Sequence, residues 1–115
     1  MSEFMQGRRK HKLFPKELLS NLPPLYSQEE NPDPLVHASY FCPYSQGRWL
    51  VLEGDPSQRT LFGFAQLFPG CGELGYINMD ELEQTTVMQE QVPAIERDLS
   101  FQPAPLTEVK ERLGL

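Results

Sequence analysis

The densest apolar segment of the chain spans residues 60–68 and is bounded by turn-forming residues. Its short length and its aromatic and branched side chains predict a β-strand. Apolar side chains occupy both alternating sets of positions, which indicates a central strand that is covered on both faces. Gly63 lowers the strand propensity by roughly 0.5–1 kcal/mol, so we expect a bulge, a bend or a closely packed neighbour at that position.

A return strand and a helix are predicted directly after this segment. Pro69, Gly70 and Gly72 are turn formers, and residues 74–77 are again largely apolar, which predicts the next strand. Asn78 is suited to cap a helix over residues 79–83, whose acidic first turn complements the positive helix N-terminus.

Two earlier segments alternate between their two faces. Residues 35–42 and residues 48–53 are separated by the turn sequence of residues 43–47, and they predict two more strands. In the second of these strands, alternation assigns Trp49 and Glu53 to the same face. Three strands joined by short connections, without a helix between them, predict an antiparallel meander.

The rest of the chain predicts short helices, loops and one further strand. We expect a helix over residues 15–22, a loop over 26–34, a loop or ragged helix end over 84–93, an edge strand over 94–101 and a terminal helix capped by Thr107. The predicted fold is α+β: a small antiparallel sheet of four or five strands with short N-terminal, middle and C-terminal helices on one face or at its ends.

The length of 115 residues predicts one domain, over residues 13–115, preceded by a basic arm over residues 1–12 that we expect to be disordered. The sequence contains no run of about 18 apolar residues, so we predict no membrane span. Nothing in the sequence marks export, so we expect a cytoplasmic protein.

Charge is divided unevenly between the arm and the body. The arm carries a net charge of +3 and the remaining residues carry −9, within an overall charge of −6. An acidic body opposes non-specific binding to nucleic acid, because phosphate neutralisation supplies most of that affinity. Weak phosphate contact is therefore expected only from the basic residues of the arm, which are Arg8, Arg9, Lys10 and Lys12.

The cysteines and histidines give no clear chemical site. Cys42 and Cys71 are expected to be free thiols, and their spacing and that of the histidines do not match a zinc site. His37 could form a polar site with Tyr76, but one histidine without a positioned nucleophile is a weak catalytic signal. We therefore predict no catalytic residue, no metal ligand and no cofactor.

Candidate binding residues fall into two groups. Glu73 lies in a glycine-rich turn between two strands, Tyr76 follows in the return strand, and Trp49 would be a binding anchor if it were exposed on the sheet. In the second group, Glu96, Arg97 and Asp98 follow one another in an extended segment. There Arg97 could pair with an acid of a neighbouring element, or could donate to a carboxylate or phosphate of a ligand.

Several segments also carry a family resemblance. They occur in order over nearly all of the chain after about residue 13, and they are LPPLY, VHASYFCP, WLVLEGD, LFGFAQL, ELGYINMDELE and IERDLSFQPAPLTEV. With these segments the chain resembles the bacterial family named domain of unknown function 2958. The resemblance implies a small cytosolic protein that is often encoded on plasmids, conjugative elements and phage-like regions, and it implies no established activity. The basic arm and the FPGCG turn depart from the family pattern.

Three functions are compatible with the sequence. The first is a non-enzymatic acidic module that binds another protein, serves a mobile element or phage, and in one version mimics nucleic acid to inhibit a nucleic-acid-binding protein. The second is a small metal-dependent hydrolase or nuclease in which Glu73 converges with Glu96 or Asp98. The third is single-stranded nucleic-acid binding through aromatic strands and the basic arm. The sequence leaves a monomer and a dimer equally open.

Overall fold

The computed structural model describes residues 12–87 and 92–115. Most of the predicted basic arm, including Arg8, Arg9 and Lys10, lies outside the described residues. Residues 88–91 of the predicted loop also lie outside them.

The described residues form three α-helices and nine strands. The helices are α1 (Lys16–Ser20), α2 (Met79–Gln84) and α3 (Leu106–Leu113), and a 3₁₀ turn spans Pro56–Gln58. The strands are β1 (Leu35–Val36), β2 (Ala38–Phe41), β3 (Arg48–Asp55), β4 (Thr60–Gln66), β5 (Glu73–Asn78), β6 (Thr86–Val87), β7 (Val92–Pro93), β8 (Glu96–Arg97) and β9 (Ala104–Pro105). None of these helices is long and apolar enough to cross a membrane.

The main sheet contains five strands of the described chain in the order β5-β4-β3-β2-β8, and each strand is antiparallel to its neighbours. Strands β2 to β5 are consecutive both in the chain and in the sheet, so the predicted meander is confirmed. The predicted edge strand is β8, which pairs with β2. The α+β prediction is confirmed as a whole.

Two predicted elements differ from the structure. The strand predicted over residues 35–42 divides at His37, and β1 pairs with β9 instead of joining the main sheet. The backbone N–H of His37 still donates to the carbonyl oxygen of Val51 at 2.8 Å. The segment over residues 84–93, predicted as a loop or ragged helix end, contains the paired strands β6 and β7.

Gly63 lies opposite an irregularity in the pairing of β3 with β4. Gly63 pairs with Val51, but the register then shifts and leaves Leu52 without a partner across the pair. A Cβ atom at Gly63 would overlap the carbonyl oxygen of Leu50, so the close approach of the two backbones requires glycine. Of the alternatives that the sequence left open at Gly63, the close neighbour is confirmed, and the bulge lies in the opposite strand.

The bulge changes the face on which Glu53 lies. Glu53 pairs with Phe62, and directly opposed residues share a face of an antiparallel sheet. Phe62 packs against the core that contains Leu52, whereas Trp49 packs against the core on the other face. The prediction that Glu53 and Trp49 share a face is therefore wrong, because simple alternation does not anticipate the extra residue.

Each face of the main sheet supports its own core. On the first face, Tyr40, Leu61 and Ile77 pack with side chains of α2 and of the segment that contains α1. On the second face, Leu50 and Phe64 pack with side chains of β9 and α3. Coverage of the central strand on both faces is confirmed. The expectation that the helices lie on one face or at the ends is wrong, because the C-terminal segment covers the second face.

The two longer helices begin differently. Asn78 caps α2 as predicted, since its side-chain oxygen accepts the backbone N–H of Glu81 at 3.0 Å. The N-cap residue of α3 is Pro105, whose side chain makes no cap hydrogen bond. Thr107 instead donates its hydroxyl and its backbone N–H to the Asp33 carboxylate, at 2.6 and 2.9 Å, so the predicted cap is wrong. These bonds hold the loop before β1 against the start of α3.

Both cysteines are free thiols, as predicted. Cys42 is buried and Cys71 is exposed in the turn before β5.

Candidate functional site

The strand β5 forms an open edge of the main sheet. It pairs with β4 on one side, and within the described part of the chain no backbone group of β5 is hydrogen-bonded on its outer side. Two large side chains of this strand are exposed to solvent, Leu74 by 52% and Tyr76 by 59%. An edge strand that is long, apolar and unpaired is a ready template for another extended chain.

The exposed apolar side chains around β5 form one continuous patch. Leu67 and Phe68, from the connection between β4 and β5, line a shallow depression together with Leu74 and Tyr76. Tyr26 extends the patch, because its hydroxyl lies 2.7 Å from the hydroxyl of Tyr76. Single exposed apolar residues are ordinary, but a contiguous patch indicates an interaction surface.

A cleft of about 390 Å³ lies beside the open edge, on the second face of the sheet. Its walls are the loop over residues 25–34, the start of α3 and the strands β3 to β5. Its apolar lining includes Leu52, Phe62, Leu74 and Leu106. Clefts of this size with apolar walls and a few fixed polar groups are typical of binding sites.

Glu53 holds the loop that forms one wall of the cleft. The residue is only 4% exposed, and its two carboxylate oxygens accept the backbone N–H groups of Tyr26 and Gln28 at 2.7 Å each. Charge-assisted bonds of this kind are short and strong. The bulge in β3 makes this contact possible, because it turns Glu53 toward the second face.

Gln28 completes the attachment of the loop. Its side-chain amide donates to the carbonyl oxygens of Leu35 and Leu52 at 3.1 and 2.9 Å, and its side-chain oxygen accepts the N–H of Leu35 at 2.8 Å. The loop is therefore fixed to both β1 and β3, and the cleft is formed before any ligand arrives.

Two aromatic side chains meet at the mouth of the cleft. Tyr26 has a backbone φ of 71°, a left-handed conformation that is uncommon for a residue other than glycine. The ring of Tyr76 packs edge-on against Phe62 with 5.4 Å between ring centroids. The hydrogen bond between the two hydroxyl groups raises the pKa of Tyr76 above its ordinary value.

The electrostatic character of the cleft is acidic. None of the described residues that line it is basic, while Glu29 lines it and Glu30 is exposed on the same loop. Glu73 is exposed at the start of β5. A ligand that brings positive charge to the rim is therefore favoured over an anionic one.

The structure divides the predicted binding residues between three places. Tyr76 lies at the mouth of the cleft, and Glu73 lies at the start of the open edge. Trp49 is half-buried and packs against the core on the first face, so it does not take part in the cleft. Glu96, Arg97 and Asp98 lie at the opposite edge of the main sheet, on β8 or directly after it.

At that opposite edge, the predicted residues support the fold. The guanidinium group of Arg97 donates twice to the carbonyl oxygen of Lys12, at 3.1 and 3.3 Å. The backbone N–H of Asp98 donates to the carbonyl oxygen of Ser39 at 2.9 Å, and the Asp98 carboxylate accepts the N–H of Ser100 at 3.0 Å. These bonds attach the segment before α1 and the segment after β8 to the sheet.

The predicted convergence of Glu73 with Glu96 or Asp98 is wrong. Three strands lie between β5 and β8, so the two edges are roughly 19 Å apart at the usual spacing of strands. No group of three potential metal ligands was found among the described residues.

The residues that form the cleft wall were not identified from the sequence. Tyr26 and Gln28 bind Glu53 and Leu52 across 24 to 27 positions of the chain, a separation that local patterns do not reveal. The sequence did contain one indication of this wall. Glu53 ends the apolar strand sequence WLVLE, and a buried carboxylate there needs hydrogen-bond donors from elsewhere in the chain.

Comparison with known proteins gives one match. A profile of the family described as "Protein of unknown function (DUF2958)" matches residues 13–111. No curated protein and no solved structure matches the chain.

Proposed function

We propose that this chain, which belongs to the DUF2958 family of proteins of unknown function, is a non-enzymatic protein-interaction module. It binds an extended, basic segment of a partner protein along β5. One apolar side chain of that segment occupies the cleft.

The observation that carries this proposal is the open edge itself. Leu74 and Tyr76 are exposed on an unpaired strand directly beside a cleft whose wall is already fixed by Glu53. In strand addition, backbone hydrogen bonds supply affinity and pockets for alternate side chains supply specificity. The edge and the cleft provide both of these parts.

The charge of the chain supports a basic partner. The chain carries a net charge of −6, and the exposed acidic side chains at the cleft and the open edge include Glu29, Glu30 and Glu73. A second copy of the chain would bring the same acidic groups together across the edge, which is unfavourable. We therefore favour a different, basic protein over a homodimer.

The two other expected functions receive less support. A metal-dependent hydrolase or nuclease needs converging carboxylates, and Glu73 and Glu96 lie on opposite edges. Binding of single-stranded nucleic acid would place phosphates beside the acidic rim of the cleft.

A role in mobile-element or phage biology and mimicry of nucleic acid remain predictions. The exposed acids Glu17, Glu81 and Glu111 lie on three different helices, which does not favour a continuous row of phosphate-like charges.

A selection of linear peptides on the full chain tests the proposal. We expect the selected peptides to alternate apolar residues with Lys or Arg, and to bind less tightly as salt rises. Leu74→Lys should weaken their binding by about tenfold or more, since it places a like charge on the open edge and removes an apolar contact worth about 1.4 kcal/mol.

The matched control is Leu99→Lys. Leu99 is 63% exposed and follows β8 at the opposite edge, so the same substitution there should leave peptide binding unchanged. Equal binding to both variants would contradict the proposal. Selection of acidic peptides, or no saturable binding by any peptide, would contradict it as well.

A further inference from the structure

A second cleft, of about 370 Å³, lies at the end of the second face where the β2–β3 turn approaches the end of α3. It shares no lining residue with the cleft beside β5. Its lining includes Phe41, Ser45, Arg48, Gln66 and Leu113. Among the described residues that line it, no side chain is acidic.

Gln66 is the first unusual feature of this second cleft. The residue is only 6% exposed, yet its side-chain amide has no hydrogen-bond partner among the described residues. Buried polar groups are nearly always paired, and a buried amide without a partner is costly. Because Gln66 lines the cleft, a ligand there can supply the missing hydrogen bond.

Arg48 is the second unusual feature. It is directly opposite Gln66 in the pairing of β3 with β4, so both side chains lie on the same face of the sheet. Its guanidinium group donates to the hydroxyl of Ser39 at 3.1 Å and lies 5.4 Å from the ring centre of Phe41. No carboxylate of the described residues lies within ion-pair distance of it.

The partial burial of Arg48 is therefore only weakly compensated. Burial lowers the pKa of Arg48, and the charge of Asp98 acts in the opposite direction. Arginine stays protonated under such a shift, so the positive charge remains in the cleft.

We infer that Arg48 and Gln66 form a binding site for the oxyanion group of a small ligand, either a phosphate or a carboxylate. The guanidinium fork matches the two oxygens of such a group, and the Gln66 amide donates to one of them. This site is independent of the proposed interaction along β5.

Titration of the ¹⁵N-labelled full chain with inorganic phosphate, and separately with succinate, tests this inference by NMR. We expect saturable shifts of the backbone amides near Arg48 and of the side-chain amide of Gln66. Arg48→Gln should weaken binding by roughly tenfold or more, the value of a hydrogen bond to a charged group. Whichever anion binds more tightly identifies the chemical class of the ligand.

Two further variants distinguish a binding site from a structural role. Gln66→Leu should raise the melting temperature, because it removes an unpaired buried amide, and should also weaken anion binding. Asp98→Asn should tighten anion binding, because it removes the negative charge that acts on Arg48.

The matched control is Lys16→Gln, which removes one positive charge from an exposed position on α1. It should leave the anion affinity unchanged. The inference is overturned if neither anion gives saturable shifts, or if Lys16→Gln and Arg48→Gln weaken binding equally. A fall in melting temperature with unchanged anion binding in Gln66→Leu would overturn it too.

Discussion

The two edges of the main sheet differ in how well their unpaired backbone groups are protected from pairing with another strand. The β8 edge is two residues long, carries charged side chains, and is attached to neighbouring segments through Arg97 and Asp98. The β5 edge is six residues long and exposes Leu74 and Tyr76. Short, charged and covered edges are the usual protection against unwanted strand pairing. That protection is present at one edge and missing at the other, which is why we propose β5 as the edge that pairs with a partner.

The difference also explains where the predicted binding residues belong. Glu96, Arg97 and Asp98 lie at the closed edge, where Arg97 and Asp98 attach the segment before α1 and the segment after β8 to the sheet. Tyr76 is aromatic and exposed because it borders a cleft. Charge at an edge strand is therefore a weaker indication of function than exposed apolar surface.

The largest effect is expected from a pair of glycines that face each other across β4 and β5. Gly63 pairs with Gly75, but a Cβ at Gly63 overlaps the Leu50 carbonyl, whereas a Cβ at Gly75 meets no atom within 4 Å. Gly63→Ala should lower the free energy of unfolding by about 3 kcal/mol through overpacking. Gly75→Ala should change it by less than about 1 kcal/mol. Urea denaturation of both variants measures the difference. An equally large loss of stability in Gly75→Ala would show that other atoms pack against Gly75 at the open edge.

The next largest effect is expected at the wall of the cleft. Glu53→Gln removes the charge that accepts two backbone N–H groups and should lower the free energy of unfolding by about 2 kcal/mol. Binding of selected peptides should fall as the loop loosens. The matched change Glu96→Gln, at the closed edge, should cost less than about 0.5 kcal/mol and leave peptide binding intact. A larger loss for Glu96→Gln would reverse the roles assigned to the two edges.

The smallest effect is expected from the tyrosine pair. Because the hydrogen bond between the Tyr26 and Tyr76 hydroxyl groups raises the pKa of Tyr76, the folded protein holds the phenolic proton of Tyr76 more tightly than the unfolded chain does. This contribution to stability is present below the ordinary tyrosine pKa of about 10 and is lost as pH rises through the raised value. Tyr26→Phe should lower the pKa of Tyr76. Spectrophotometric titration at alkaline pH measures that shift, and an unchanged titration would show that the pair is not formed in solution.

Local patterns were sufficient for most of the fold. The apolar segment over residues 60–68 predicted β4, Gly63 predicted a bulge, a bend or a close neighbour, and Asn78 predicted the start of α2. Each of these features depends on neighbours in the chain or on one residue's backbone requirements. The division of the strand at His37 was missed, because the pairing of β1 with β9 joins distant positions.

The candidate site was predicted only in part, through Tyr76 and Glu73. The cleft depends on Glu53 reaching the loop at Tyr26, and that contact depends on a bulge whose effect on side-chain direction was not anticipated. The proposed convergence of Glu73 with Glu96 failed for a similar reason. The sequence predicts an edge strand but does not tell which edge it joins, and β8 joins β2 rather than β5.

Amide hydrogen exchange of the full chain, with and without a selected basic peptide, tests most directly whether β5 is the docking edge. We predict that the peptide slows exchange of alternate amides within Glu73–Asn78 and of amides at the cleft wall, while amides of β8 exchange at the same rate as in the free chain. Slower exchange at β8 with no change at β5 would contradict the account. So would strong protection of the outer amides of β5 before any peptide is added.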